Sequence, residues 1–233
     1  MTALLDVRGL RAGYGRTTVV RDLDLTVGAG EIVALLGPNG AGKTTTLLTV
    51  AGLLPVLGGT VEFAGAPGER RPQRLARAGL SLVPDDRGLF PSLTVAEHLM
   101  VSASRAGRTD AQARVVGWFP ALEGLLDRRV GLLSGGEQQM LALAVALERG
   151  PSVLMIDELS LGLAPLVVQS FVPVLRQVAD ETGCGVLLVE QHATVALELA
   201  ERAVVLAHGE VRISAPTEEL RADPDRLRAA YLG

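Results

Sequence analysis

Cysteine, lysine, excess positive charge and long apolar runs are all scarce in this chain, and each shortage excludes something. The single cysteine, Cys184, forbids an internal disulfide, and no Cys/His spacing marks a metal site, so a reducing compartment is expected. Apolar residues come in short runs such as Ile32 to Leu36 and Val186 to Val189, far below the roughly 18 needed to cross a bilayer. Any membrane role is therefore expected to be peripheral. Asp6, Arg8 and Arg11 interrupt the first apolar stretch, which does not read as a secretory leader, and a cytoplasmic location is expected. The net charge of −4 argues against nucleic acid as the main partner, because phosphate backbones select basic faces. Among 22 basic residues the only lysine is Lys43, so a compact ammonium on a flexible stem is expected to be required there.

The chain does have 233 residues that are 48% hydrophobic, enough to bury one sizeable core. Strand-like runs recur at Leu4 to Val7, Ile32 to Leu36, Val61 to Phe63, Leu80 to Val83, Val153 to Ile156, Val186 to Glu190 and Val204 to Ala207. Helical spacing fills Gln138 to Glu148, Leu166 to Val178 and Ala193 to Arg202, which predicts βαβ units around a mostly parallel sheet in an α/β fold. Before Gly30 and from Thr60 to Phe63, strand and turn signals without helices predict a small antiparallel layer. From Thr94 to Leu126 the pattern is mostly helical, so residues 1–233 read as one domain with a helical subdomain near 86–150.

Gly37 to Thr44 reads G-P-N-G-A-G-K-T, directly after an apolar strand and before a helical stretch from Thr45. Glycines let backbone N–H groups wrap around phosphates, Lys43 can reach the terminal phosphates, and Thr44 can take Mg²⁺. Val153 to Glu158 reads V-L-M-I-D-E, an apolar strand ending in adjacent carboxylates that are costly to bury without a cation or a task. A Mg²⁺ site supplies both: Asp157 would orient the ion and Glu158 would polarise the water that attacks the γ-phosphate. Leu133 to Gln139 reads L-S-G-G-E-Q-Q, where Ser134 and Glu137 make an S-x-x-E capping box. Gly135 and Gly136 leave backbone N–H groups uncovered behind that cap, a second anion-receptive helix end.

Together, these three segments resemble the ATP-binding subunits of ABC transporters, and the resemblance covers nearly all 233 residues. It implies a P-loop, RecA-like core and two ATPase domains paired head to tail. Each ATP would lie between Gly37, Pro38, Asn39, Gly40, Ala41, Gly42, Lys43, Thr44 and Thr45 of one copy and Ser134, Gly135 and Gly136 of the other. Tyr14 matches the aromatic that stacks on adenine. Asp85, in L-V-P-D-D, replaces the glutamine that touches Mg²⁺ and senses the transporter, leaving Thr44, Asp85 and Asp157 as metal residues. Glu158, Lys43, Gln191 and His192 are the implied catalytic residues. Leu159 stands where the family has proline before the loop S-L-G-L-A-P. In V-E-Q-H-A, Gln191 aligns with the family's γ-phosphate-sensing histidine and His192 falls one place late, on what reads as an extended strand end. Within the family, V-P-D-D-R-G-L-F-P-S-L-T-V-A-E-H-L, V-E-Q-H-A and the ending A-Y-L-G resemble the branched-chain amino-acid uptake group. That implies integral membrane permease subunits as partners, a second ATPase subunit that in this group is a different chain, and an extracytoplasmic binding protein reached indirectly. It also implies a place on the cytoplasmic face of the inner membrane, while urea or amide uptake systems remain close competitors.

Overall fold

The computed structural model describes residues 3–102 and 111–232. It opens with β1 (Ala3–Tyr14) and β2 (Thr17–Gly28), followed by β3 (Ile32–Leu36), α1 (Lys43–Val50), β4 (Val56–Phe63) and α2 (Pro72–Arg77). Next come β5 (Leu80–Val83), α3 (Val95–Ser102), α4 (Ala111–Trp118) and α5 (Gly135–Glu148), with short 3-10 turns between the last two. The remainder is β6 (Val153–Asp157), α6 (Pro165–Thr182), β7 (Gly185–Glu190), α7 (Ala193–Leu199), β8 (Arg202–Ala207), β9 (Glu210–Pro216), α8 (Thr217–Ala222) and α9 (Pro224–Leu232). Part of the helical stretch expected from Thr94 to Leu126, residues 103–110, lies outside the described residues, as does the final Gly233.

Two sheets form. One is antiparallel with order β2-β1-β4, and the other runs β5-β6-β7-β3-β8-β9 with every neighbour parallel except the β8–β9 pair. Strand alternation explains how the larger sheet is covered on both faces. Ile32, Ala34 and Leu36 of β3, with Leu154 and Ile156 of β6, face the core built by the helices. Val33 and Leu35, with Val153 and Met155, face the other core, shared with α1 and the antiparallel layer. Both sets are inaccessible to solvent, and for this reason these strands are continuous apolar runs in the sequence.

Several element boundaries differ from expectation. The run Leu4 to Val7 is only the start of β1, whose later half buries Leu10 and Ala12 but is broken by glycines and carries register shifts against β2 that no local pattern announces. The helix expected over Ala193 to Arg202 stops at Leu199, because Ala200 is extended and Glu201 N–H donates to Ile32 O at 2.9 Å. Arg202 thereby starts β8 and pairs with Val33 of β3. At its other end, α6 has Pro165 in its first turn and Gly183 at φ 72° beyond its last, the ordinary start and stop signals. The strand β9 and the helices α2, α8 and α9 were not anticipated. No helix among the described residues is long and apolar enough to cross a membrane.

Candidate functional site

Four parallel strands present their carboxyl ends at one edge, in the order β5, β6, β7, β3. The register sets Val83 opposite Ile156, Asp157 opposite Val189, and Leu36 opposite Glu190. Asp85, the Asp157–Glu158 pair, Gln191 with His192, and the loop from Gly37 therefore emerge side by side, although they are scattered over the sequence. Open parallel sheets bind ligands at such edges.

The loop after β3 is shaped by its glycines. A Cβ on Gly37 would lie 2.1 Å from Leu206 O, and Gly42 caps α1 at φ 107°, so the chain can curl tightly against β8 only without side chains there. Ala41 is buried and donates its N–H to Pro38 O at 3.2 Å, while Asn39 and Gly40 at the crest are exposed. Lys43 folds back into this curl, its Nζ donating to Gly37 O at 3.0 Å and to Pro38 O at 3.2 Å, with Glu158 Oε1 at 4.0 Å. Burial pushes the Lys43 amine down, against the raising influence of Glu158, Asp157 and Glu190. An ammonium held only on two carbonyls can exchange them for stronger, anionic acceptors. Tyr14, 52% exposed at the β1–β2 hairpin, lines a cavity of about 220 Å³ together with Val19, Asn39, Lys43, Thr45 and Glu158. An aromatic face and a phosphate-type loop thus open onto one space.

Asp157 is 3% exposed, and burial pushes its carboxyl up to about 6; the charges of Asp85 and Glu158 add to that, while a hydrogen bond from Thr44 and the charge of Lys43 hold it down. Its Oδ1 has no hydrogen-bond partner. A buried, unpartnered carboxylate oxygen, with a hydroxyl and a second carboxylate beside it, fits a hard divalent cation with oxygen ligands. Two carboxylates make a sparse set, and among the described residues no cluster of three or more His, Cys, Asp or Glu side chains could hold a metal ion. Such a set suits an ion that also uses water and phosphate oxygens, as Mg²⁺ does. Glu158 adopts φ 53°, a left-handed conformation costly for a residue with a side chain, and its N–H donates to Val189 O at 2.9 Å.

The chain leaves β7 at Glu190, so Gln191 lies on a bend just past the strand, while His192 keeps an extended backbone at φ −94° and ψ 116°. Gln191 is half-buried; His192 is exposed and precedes α7 as its N-cap. Two further residues, absent from the sequence expectations, fix this segment. Glu190 is 1% exposed and accepts from Ser160 N at 2.8 Å and Ser160 Oγ at 2.9 Å, tying the loop after Glu158 to the end of β7. Tyr231 of α9 donates its hydroxyl to Gln191 O at 3.1 Å, and burial pushes its phenol up to about 12. A carboxylate ending the apolar run Val186–Val189 was a signal for Glu190, since burial demands a partner. Tyr231 had none, as its contact spans 40 residues.

The capping box at the start of α5 is formed as the sequence indicates: Glu137 N donates to Ser134 Oγ at 3.4 Å and Ser134 N to Glu137 Oε2 at 2.6 Å. Gly136 has a packing reason as well, since a Cβ there would lie 2.8 Å from Val167 Cγ1. Ser134, Gly135 and Gly136 do not line the cavity around Lys43. Within one chain the structure therefore does not bring the two anion-receptive helix ends into a common space.

Comparison with known proteins agrees with this geometry. The family model described as ABC transporter matches residues 20–160. The high-affinity branched-chain amino acid transport ATP-binding protein BraG of Pseudomonas aeruginosa is 39% identical over 224 residues, covering 94% of this chain and 95% of that protein. The lipopolysaccharide export system ATP-binding protein LptB of Escherichia coli is 33% identical over 243 residues, covering 99% and 98%. Among solved structures, one of an ATP-binding subunit of an ABC transporter superposes with a TM-score of 0.85 at 28% identity, covering 98% of each chain.

Proposed function

This chain belongs to the ABC transporter family and is an ATPase of that family, and we propose that it powers an importer, most specifically one for branched-chain amino acids. One observation carries the chemical part: a buried Asp157 with an orphaned oxygen and a strained Glu158 stand at a strand end against Lys43 in its glycine loop. In this reading Lys43 leaves the carbonyls of Gly37 and Pro38 for the β- and γ-phosphates of ATP. The N–H groups of Gly40 to Thr45 cradle the phosphates, and Tyr14 stacks on adenine. Thr44, Asp85 and Asp157 would hold Mg²⁺, which when bound would supply positive charge against the phosphates. Glu158 accepts hydrogen bonding from the attacking water and aims it at the γ-phosphorus. Gln191, with His192 behind it, senses the γ-phosphate from the end of β7. A second ATPase subunit closes the site with its Ser134 to Gly136 segment.

Transporter ATPases of this family work with membrane permease subunits, and a groove of about 340 Å³ on the helical side suits that role. Leu53, Leu75, Phe90, Val145 and Arg149 line it, and Phe90 is 55% exposed at its rim. An amphipathic cytoplasmic helix of the permease fits such a surface. Substrate choice would rest with the permease and the extracytoplasmic binding protein. The test is uptake of labelled leucine, urea and a short amide by cells carrying the full transporter with this chain either intact or as Glu158→Gln. Glu158-dependent leucine uptake supports the proposal; Glu158-dependent urea or amide uptake replaces the substrate, and transport that ignores the substitution removes Glu158 from hydrolysis.

A further inference from the structure

We infer that Arg87 is a positioning residue that couples the loop bearing Asp85 to the anion-receptive start of α5, so that one nucleotide's Mg²⁺ end is mechanically linked to the segment meeting the other nucleotide. The inference rests on the shared-site reading above and adds a residue to it. Arg87 Nε donates to Gln139 Oε1 at 3.1 Å, and Nη1 donates to Gln138 Oε1 at 3.0 Å. The guanidinium also lies beside Gly135, since a Cβ built there would be 3.5 Å from Nη2. One planar fork thus grips two residues in the first turn and a half of α5 and lies beside a third, an arrangement that Lys cannot reproduce.

The grip is built from both sides. Gln138 is held in turn by its own Nε2, which donates to Val130 O at 3.2 Å and Leu133 O at 3.4 Å. Gln139 is 3% exposed and its Nε2 has no partner, so among the described residues Arg87 supplies the one hydrogen bond to this buried side-chain amide. On its own side, Arg87 adopts φ 66° and is followed by Gly88 at φ 60°, two left-handed residues in succession. Such a conformation costs a non-glycine residue energy and persists where surrounding contacts over-determine it. The contacts here are a turn closed by Arg87 N to Pro84 O at 2.9 Å, and Gly88 N donating to Asp86 Oδ1 at 3.0 Å. Asp85 sits inside that turn, two residues beyond Val83, whose register partner is Ile156, next to Asp157. A rigid turn therefore carries Asp85 at one end of its reach and the α5 clamp at the other.

The experiment uses the full chain with Glu158→Gln, which prevents hydrolysis, and measures dimerisation by sedimentation velocity with ATP, with and without Mg²⁺. Arg87→Asn keeps a residue that tolerates the left-handed conformation but cannot span to the glutamines. Arg87→Lys keeps the charge and loses the fork. The expected result is that monomer affinity for a fluorescent ATP analogue hardly changes, while the melting temperature of Arg87→Asn falls by a few degrees because the buried Gln139 amide loses its partner. Dimerisation in Mg-ATP weakens by about tenfold in Arg87→Asn and less in Arg87→Lys, the size expected for losing charge-assisted hydrogen bonds. The factor by which Mg²⁺ tightens the dimer should also shrink, which a merely structural role would not produce. Adding Gln139→Leu to Arg87→Asn should cause little further loss, because both remove the same contact. If Arg87→Asn dimerises and responds to Mg²⁺ as its parent does, the inference is wrong and the shared site stands. If the Glu158→Gln parent itself stays monomeric in Mg-ATP, the site shared between two copies of this chain falls and this inference, as tested on them, with it.

Discussion

Replacing Asp157 by Asn is expected to make the nucleotide-free protein more stable and the nucleotide-bound protein less able to gain from Mg²⁺. Burial raises the Asp157 carboxyl from the ordinary 3.8 to about 6. For an acid that is ionised at neutral pH this is a penalty on the folded state. Between about pH 4 and pH 6 the folded state keeps a proton that the unfolded chain has released, so stability falls as pH rises through this window and is flat above it. A shift of roughly two units at ~1.4 kcal/mol each corresponds to about 3 kcal/mol. Solvent at the rim of the site screens part of that, leaving about 1–2 kcal/mol. Asn has nearly the same shape, can still accept from the Thr44 hydroxyl and carries no charge to desolvate. In EDTA at pH 7.5, Asp157→Asn should therefore melt about 2–8 °C above the parent, and the gain should vanish near pH 4. Saturating Mg-ATP should reverse the ranking, because only the carboxylate binds the ion strongly and ligand stabilisation grows as RT ln(1 + [L]/Kd). Thermal scans across pH, with EDTA and with Mg-ATP, read both effects. An Asn variant that melts below the parent in EDTA at pH 7.5 would show that Asp157 is a satisfied structural carboxylate, refuting its assignment as a pre-stressed ion ligand.

Glu158→Gln should retain ATP and Mg²⁺ binding in equilibrium dialysis yet lose at least a hundredfold in steady-state phosphate release, the usual scale for removing a general base. Lys43→Arg should abolish tight ATP binding by calorimetry, since Lys43 is 5% exposed and its amine sits within 3.2 Å of two loop carbonyls where a guanidinium has no room. Tyr231→Phe removes the hydroxyl held by Gln191 O and should cost about 1 kcal/mol of stability in urea titration while slowing hydrolysis without weakening ATP binding. Gly135→Asp places a carboxylate in the first turn of α5, where the helix dipole favours it, so the monomer should melt no lower than the parent even as ATP-dependent dimerisation is lost.

Much of this was legible where physical causes are local. The strands Ile32–Leu36 and Val153–Asp157 could be read because both their faces are buried, which leaves no polar alternation to confuse them. The glycine loop and the Ser134–Glu137 capping box are complete within a few residues, and the box has the expected hydrogen bonds. The same S/T-x-x-E signature at Thr94 and Glu97, which starts α3, went unread although it is equally local. What stayed hidden depends on distant partners. The later half of β1 is a strand because β2 and β4 flank it, and its bulges cancel any alternation. Arg202 reads as the end of a helix, but β3 draws it into the sheet. Arg87 is separated by about fifty residues from the glutamines it grips, and an Arg in a polar loop announces nothing by itself.

The most direct measurement of the central claim, that two chains share each nucleotide, is a mixing experiment in the Glu158→Gln background. One chain carries Lys43→Ala and so lacks a working phosphate loop; the other carries Gly135→Asp and lacks a receptive α5 start. Neither alone should dimerise in Mg-ATP. Their mixture should, because one of the two sites in a mixed dimer combines an intact loop from one chain with an intact α5 start from the other, and each such dimer should retain one labelled ATP. A mixture as monomeric as its components would contradict a site shared between two copies of this chain, and a Gly135→Asp chain that dimerises as readily as its parent would contradict any role of the α5 start in it.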